Sequence, residues 1–250
     1  MLTPSSMGRI HAATIHFVIC ATVAGGLLAL FWLVWYPAPL FRAVGGLDIF
    51  LMLLGIDVIL GPLLTFVVFQ AGKKTLKFDL AVIATVQAVA LTYGVYTLLA
   101  ARPVYVAALG DGFKLVRANE VEPQELGIAQ TTLPMWGPKW VGIKKSEDPS
   151  ENERVLLTGA VGGGYAHFPQ HFVPVESMRE VMLSKAKPIS DLRRNNSERD
   201  PEITAWLSAH GYDDRSAVFQ PLRAARERMA VILDAKTANV IGIAPFKPWD

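Results

Sequence analysis

The chain has 250 residues, of which 52% are hydrophobic and 18% charged, with a formal net charge of +2; an average soluble protein is ~25% charged. Eight Lys, Arg, Asp and Glu residues lie in the first hundred positions and thirty-eight in the remaining 150. That division excludes a wholly soluble protein and sets a membrane region, 1–100, ahead of a soluble domain, 101–250. The positive excess lies in the first region (Arg9, Arg42, Lys73, Lys74 and Lys77 against Asp48, Asp57 and Asp79), and the balanced remainder carries no nucleic-acid footprint. With Cys20 as the one cysteine, the soluble part must fold without disulfides.

The first apolar run, 15–36, carries no charge and ends in Trp32, Trp35 and Tyr36. At 1.5 Å per residue it covers the ~30 Å hydrocarbon core, and its aromatic end reads as an interfacial belt. It is longer than a signal-peptide core, and Pro37-Ala38-Pro39 is a poor cleavage context, so an uncleaved span is expected. Ala21, Gly25 and Ala29 give it one small-residue face. After a short loop, the second run, 49–69, holds an acid, a glycine and a proline where lipid favours leucine. Asp57, Gly61 and Thr65 recur every four residues, so they share a face that should look into protein, and Pro62 should bend the helix. Lys73, Lys74 and Lys77 fill the next connection; the third run, 80–100, sets Ala84, Gln87 and Gly94 in one stripe. Consecutive spans joined by a short loop are antiparallel neighbours, so the Asp57 and Gln87 faces are expected to meet. The lysines mark the cytoplasmic side. Three spans then place 101–250 outside, which in a Gram-negative cell is the periplasm.

In the soluble part, 104–108 and 113–117 read as a hairpin around Gly110-Asp111-Gly112. A helical turn at 122–126 and a strand at 139–143 follow. Ser150, Glu151 and Glu153 open a helix to about Gly159, ended by Gly162-Gly163-Gly164. Helices are expected at 176–185, at 188–195, and from Ser197 or Asp200 through Ile203, Trp206 and Leu207 to a stop at Gly211. Strands at 217–222, 229–233 and 239–243 close the chain. The expected architecture is a three-helix transmembrane bundle followed by an α+β periplasmic domain with a mainly antiparallel sheet.

His167 and His171 lie four apart, but Pro169 between them argues against a helical metal site and no third ligand has diagnostic spacing. The glycine run lacks the Lys-Ser/Thr of a phosphate loop, and Arg223, Arg226 and Arg228 are interrupted by Glu227. No catalytic motif, metal or cofactor is expected. Asp57 has three readings: a proton or ion relay, packing inside the bundle, or a groove that receives another protein's transmembrane helix. A relay usually brings more than one ionisable group, and Asp57 is the only one counted in the spans, so packing leads.

Residues 55–65 (GIDVILGPLLT), Gly72-Lys73, Phe78-Asp79-Leu80, Gln87 and Ala101-Arg102-Pro103-Val104-Tyr105 stand in an order that resembles the type IV pilin accessory proteins of the TfpX/TfpZ family. Pro221-Leu222-Arg223-Ala224-Ala225-Arg226 and the terminal Pro248-Trp249 extend the resemblance nearly end to end. It implies a non-enzymatic inner-membrane protein that assists the stability or assembly of a cognate major pilin, with the lipid bilayer and the pilus assembly machinery as further partners. Asp57, Gly61, Pro62, Thr65, Gln87 and Gly94 are the residues expected to bind that partner or pack the helices. The competing readings are a membrane-anchored enzyme that modifies pilin or envelope components, and a small transporter or sensor using Asp57.

Overall fold

Apolar length decides the first part of the fold. The computed structural model describes residues 4–158 and 164–249. Helix α1 (Pro4–Leu30) runs on through a π-helical turn, Phe31–Trp35. Helix α2 (Leu40–Ala43) is a single turn. The second long helix is composite: α3 (Gly46–Leu54), a π turn (Gly55–Leu60) and α4 (Gly61–Val68). The third is α5 (Leu76–Ala101). Three stretches, Gly8–Trp35, Gly46–Val68 and Leu76–Ala101, are long and apolar enough to cross a membrane. Helix α5 starts ahead of Lys77 and Asp79, because charged side chains at a helix end can reach water; there Lys73 pairs with Asp79 at 2.7 Å.

Contacts divide the chain into two units, one holding the chain to Val34 with Gly45–Ala100, the other holding Trp35–Val44 with the chain from Ala101 onward. The connection between the first two helices therefore belongs to the second unit. Leu40 and Ala43 are buried with Phe113, Leu222 and Met229, and the Ala43 carbonyl accepts from the Arg226 N–H at 3.0 Å.

The second unit is α+β. Its strands are β1 (Pro103–Ala108), β2 (Phe113–Arg117), β3 (Lys139–Ile143), β4 (Phe172–Val173), β5 (Lys187–Pro188), β6 (Ala217–Arg223), β7 (Met229–Asp234) and β8 (Val240–Ala244). They form one sheet in the order β4-β3-β1-β2-β6-β7-β8, with β5 on β6. The β1–β2 hairpin and the β6–β7–β8 meander are antiparallel. However, β1 pairs with β3 in parallel and so does β2 with β6. The sheet is mixed, where the sequence pointed to a mainly antiparallel one. The reason is physical: turn chemistry reveals hairpins between sequence neighbours, whereas a parallel join needs a long crossover that leaves no local signal.

Both faces of the sheet are covered. Met229, Val231 and Leu233 enter one core cluster while Ala230 and Ile232 enter another, the period of two expected of a strand. The second cluster is closed by α9 (Ile189–Arg194) and α10 (Asp200–Ala209) through Ile189, Leu192, Ile203 and Leu207. Helices α6 (Pro123–Ile128), α7 (Pro149–Thr158) and α8 (Arg179–Lys185) complete the unit. The expected helix at 176–185 begins as a 3-10 turn, Val175–Met178. Gly159, Gly162 and Gly163, expected to end α7, lie outside the described residues.

Candidate functional site

The composite second helix carries the unusual chemistry. Asp57, Gly61, Pro62 and Thr65 are all buried, while Ile59, Leu63 and Val67 are exposed, as befits a lipid-facing side. The π turn sets up a specific problem. The Gly61 N–H donates to the Ile56 carbonyl, five residues back. The Asp57 carbonyl thereby loses its α-helical donor, and the residue that would replace it in a π pattern is Pro62, which has no N–H. The Gln87 amide solves this from the next helix: its Nε2 donates to the Asp57 carbonyl at 3.1 Å. A neighbouring helix re-satisfying a carbonyl freed by proline is the arrangement that lets proline persist in a span. The helix thus runs on through Pro62, with its π turn immediately ahead of the proline.

Small residues allow the approach. A Cβ on Gly61 would overlap the Gln87 amide, and a Cβ on Gly94 would overlap the Leu53 side chain. Helix α5 therefore meets the composite helix at two points, Gln87 on Gly61 and Gly94 on Leu53. Thr65 faces the other way, toward α1: its Oγ1 shares a hydrogen bond of 2.6 Å with His16 Nδ1. Of the six residues singled out in the sequence, Asp57, Gly61 and Gln87 converge on one spot. Pro62 and Thr65 lie on the α1 side, and Gly94 stands apart against Leu53.

Between α1, α3 and α5 lies a cleft of about 180 Å³. Its walls are mainly apolar, with Val23 and Leu27 from α1, Phe50 and Leu53 from α3, and Ala84 and Leu91 from α5. Asp57, Gln87, His16 and Cys20 supply its few polar atoms. Ile19 and Val23, at the mouth, are 57% and 44% exposed, so the cleft opens sideways toward lipid. Asp57 is 7% exposed, yet its Oδ1 has no hydrogen-bond partner among the described residues, and neither has Gln87 Oε1. An acid at that depth costs at least ~2.5 kcal/mol on insertion scales. Asp57 is not the only titratable group here, as the sequence count had it: His16 lines the same cleft. His16 and Cys20 were passed over as members of an apolar run, although their spacing of four already put them on one face.

In the second unit the two histidines have separate surroundings. His171 Nε2 lies 2.8 Å from Glu151 Oε1. His167 is half-buried, and burial, followed by the charge of Lys114, pushes its imidazole down to about 4. Among the described residues no cluster of three His, Cys, Asp or Glu is placed to hold a metal. Arg223 reaches Asp111 at 3.5 Å and the Arg228 guanidinium stacks over Trp249 at 5.4 Å, so the arginines from the end of β6 onward point to different neighbours. Sequence reasoning also missed Gln220, fully buried on β6, whose Nε2 donates to the carbonyls of Gly110 at 2.8 Å and Met182 at 2.7 Å.

Comparison with known proteins gives one consistent name. The chain is 29% identical over 233 residues, 90% of each chain, to the fimbrial assembly protein of serogroup I from Dichelobacter nodosus. It is 27% identical over 232 residues, again 90% of each, to that of serogroup E1. It is 36% identical to the fimbrial assembly protein of serogroups C1 and C2 over 114 residues, which are 45% of this chain and 87% of that one. No family model matches the chain, and no solved structure matches it.

Proposed function

Because the chain belongs to the family of fimbrial assembly proteins, we propose that it is a non-enzymatic accessory protein of type IV pilus biogenesis whose helical unit receives the membrane helix of its cognate major pilin. The observation that carries this reading is the lateral cleft with the unpaired Asp57 carboxylate oxygen. Packing within the bundle leaves this oxygen without a donor among the described residues, a cost that a donor on a passing helix would remove. A passing helix can offer both an apolar ridge and a donor. The sheet unit then holds the pilin head, and two modest contacts on one chain give avidity without one tight site. The reading places the protein in the inner membrane, with Lys73, Lys74 and Lys77 cytoplasmic by the positive-inside rule and the sheet unit periplasmic.

Photocrosslinkers at Ile19, Ala84 and Leu91, around the cleft, should trap pilin in cells. If they trap only this protein's own helices, the reading fails. A second reading, a proton relay, is favoured by His16 in the same cleft as Asp57. It requires proton flux into proteoliposomes that Asp57→Asn abolishes, and a null flux removes it.

A further inference from the structure

The register of the sheet says which strand ends adjoin the residue at which the chain leaves the third span. Strand β1 begins at Pro103, two residues after the third span ends at Ala101. Strand β3 runs parallel to it, with Tyr105 opposite Lys139. The start of β3 therefore lies at the same end of the sheet as the start of β1, which follows directly on the third apolar helix. The loop that leads into β3 carries Met135 and Trp136, which are 52% and 78% exposed.

A buried arginine fixes that loop in place. Arg102, 7% exposed, donates from Nη2 to the Pro134 carbonyl at 3.3 Å and lies 3.6 Å from Met135 Sδ. The Tyr36 hydroxyl, one residue past the first span, is within electrostatic reach of the same guanidinium. Two span exits and the loop thus share one small region of this unit. Pro134 is buried and Pro138 follows, both limiting the backbone of the turn, which leaves Trp136 exposed three residues ahead of the exposed Lys139. Tryptophan with an adjacent cation is the composition that settles at the headgroup level of a bilayer.

We propose that Met135 and Trp136 insert into the headgroup layer and act as a membrane contact of the sheet unit in addition to the three helices. The occupant of this apolar surface is the lipid itself, which follows from the chain's continuity with the spans and not from any likeness to other proteins. The contact limits how the unit can tilt on its short connections, so the surface it shows to a partner is set by the bilayer.

The test uses the full chain in phosphatidylethanolamine–phosphatidylglycerol vesicles, with Cys20→Ala to leave one labelling site. An environment-sensitive dye is placed in turn at Met135→Cys, at Trp136→Cys and at Leu157→Cys, the last being 71% exposed on α7. Lipids spin-labelled near the headgroup should quench the dye at 135 and 136 at least about threefold more than at 157. The Met135 site keeps Trp136, so the answer survives if the tryptophan variant misfolds. Equal quenching at the three positions, with free access of aqueous iodide to 135 and 136, overturns the proposal. So does protection from lipid and iodide together, which would point to a protein partner on the loop.

Discussion

Two carboxylates, one in each unit, are buried to the same degree and treated in opposite ways. Asp57 in the helical unit is 7% exposed and Glu125 in the sheet unit is 6% exposed. Glu125 is fully engaged: Arg154 Nη1 lies 2.7 Å from its Oε1, and Gln170 Nε2 donates to its Oε2 at 2.7 Å. Burial raises its pKa, but the bonds from Arg154 and Gln170 outweigh that and hold the carboxyl below its usual range. The same arginine also bonds Glu151, so α6, α7 and the turn at Gln170 are tied by one charged cluster. Asp57 has an open oxygen beside an open cleft. Burial by itself therefore does not separate a packing acid from a binding one. The pairing differs: every oxygen of Glu125 has a partner, whereas Asp57 Oδ1 has none among the described residues.

The contrast is easiest to break with one substitution on each side. Arg154→Met leaves Glu125 buried with a single neutral donor. Losing one partner of a buried pair costs ~3–5 kcal/mol, and because Arg154 is itself 37% exposed the expected loss is nearer ~2 kcal/mol. Asp57→Leu removes a buried acid that lacks a full set of partners, so bundle stability should stay level or rise while surface fimbriae are lost. Denaturation in detergent and a fimbria count on the same strains read both. A stable Arg154→Met protein, or an unfolded Asp57→Leu protein, would remove the distinction.

A smaller effect is expected from acid. His167 has a folded pKa near 4, below its unfolded value. The stability it contributes is complete above ~6.5 and is lost as pH falls toward 4, about 1 kcal/mol once solvent screening is allowed for. Glu151 titrates lower. Its hydrogen bonds from Arg154 and then His171 hold it down at about 2, so its contribution is lost only below ~4.5. Stability of the sheet unit should thus fall in two successive intervals that overlap slightly between about pH 4.5 and 4. His167→Gln should flatten the upper one and leave the lower one in place; an unchanged upper slope would show that the imidazole is not held neutral by its surroundings.

Much of this arrangement was legible in the sequence, and the limits follow from what sequence patterns encode. Charge scarcity located the apolar helices, and a spacing of four marked Asp57, Gly61 and Thr65 as buried positions, although Thr65 turned out to face α1. Hairpins announced themselves through Gly110 and through the turn at Asp234, where Oδ1 accepts from the N–H groups of Lys236 and Thr237. The parallel joins of β1 with β3 and β2 with β6 were silent, because no local residue chemistry marks a crossover. The π turn was silent too, although Pro62 five residues after Asp57 is the position at which such a turn leaves a carbonyl bare. His16 and Cys20 were hidden by their apolar neighbours. A polar residue inside an apolar run is read as tolerated until the helix facing it is known.

The smallest effect tests the geometry that joins Gln87 to the π turn. Gln87→Leu should cost only about 0.6 kcal/mol, since interhelical hydrogen bonds in membranes average that much. A single substitution of that size proves little, but the glycine beneath it supplies a second handle. Gly61→Ala would ordinarily favour a helix by ~0.5–1 kcal/mol. Here the added Cβ would overlap the Gln87 amide and drive it from the Asp57 carbonyl. The expectation is a reversal of sign: Gly61→Ala destabilises the native bundle and is neutral or stabilising in a Gln87→Ala background. Unfolding of the four proteins in mixed micelles gives the coupling directly. Additive effects would mean that Gln87 does not rest on Gly61, and the approach of α5 to the composite helix would then rest on Gly94 against Leu53.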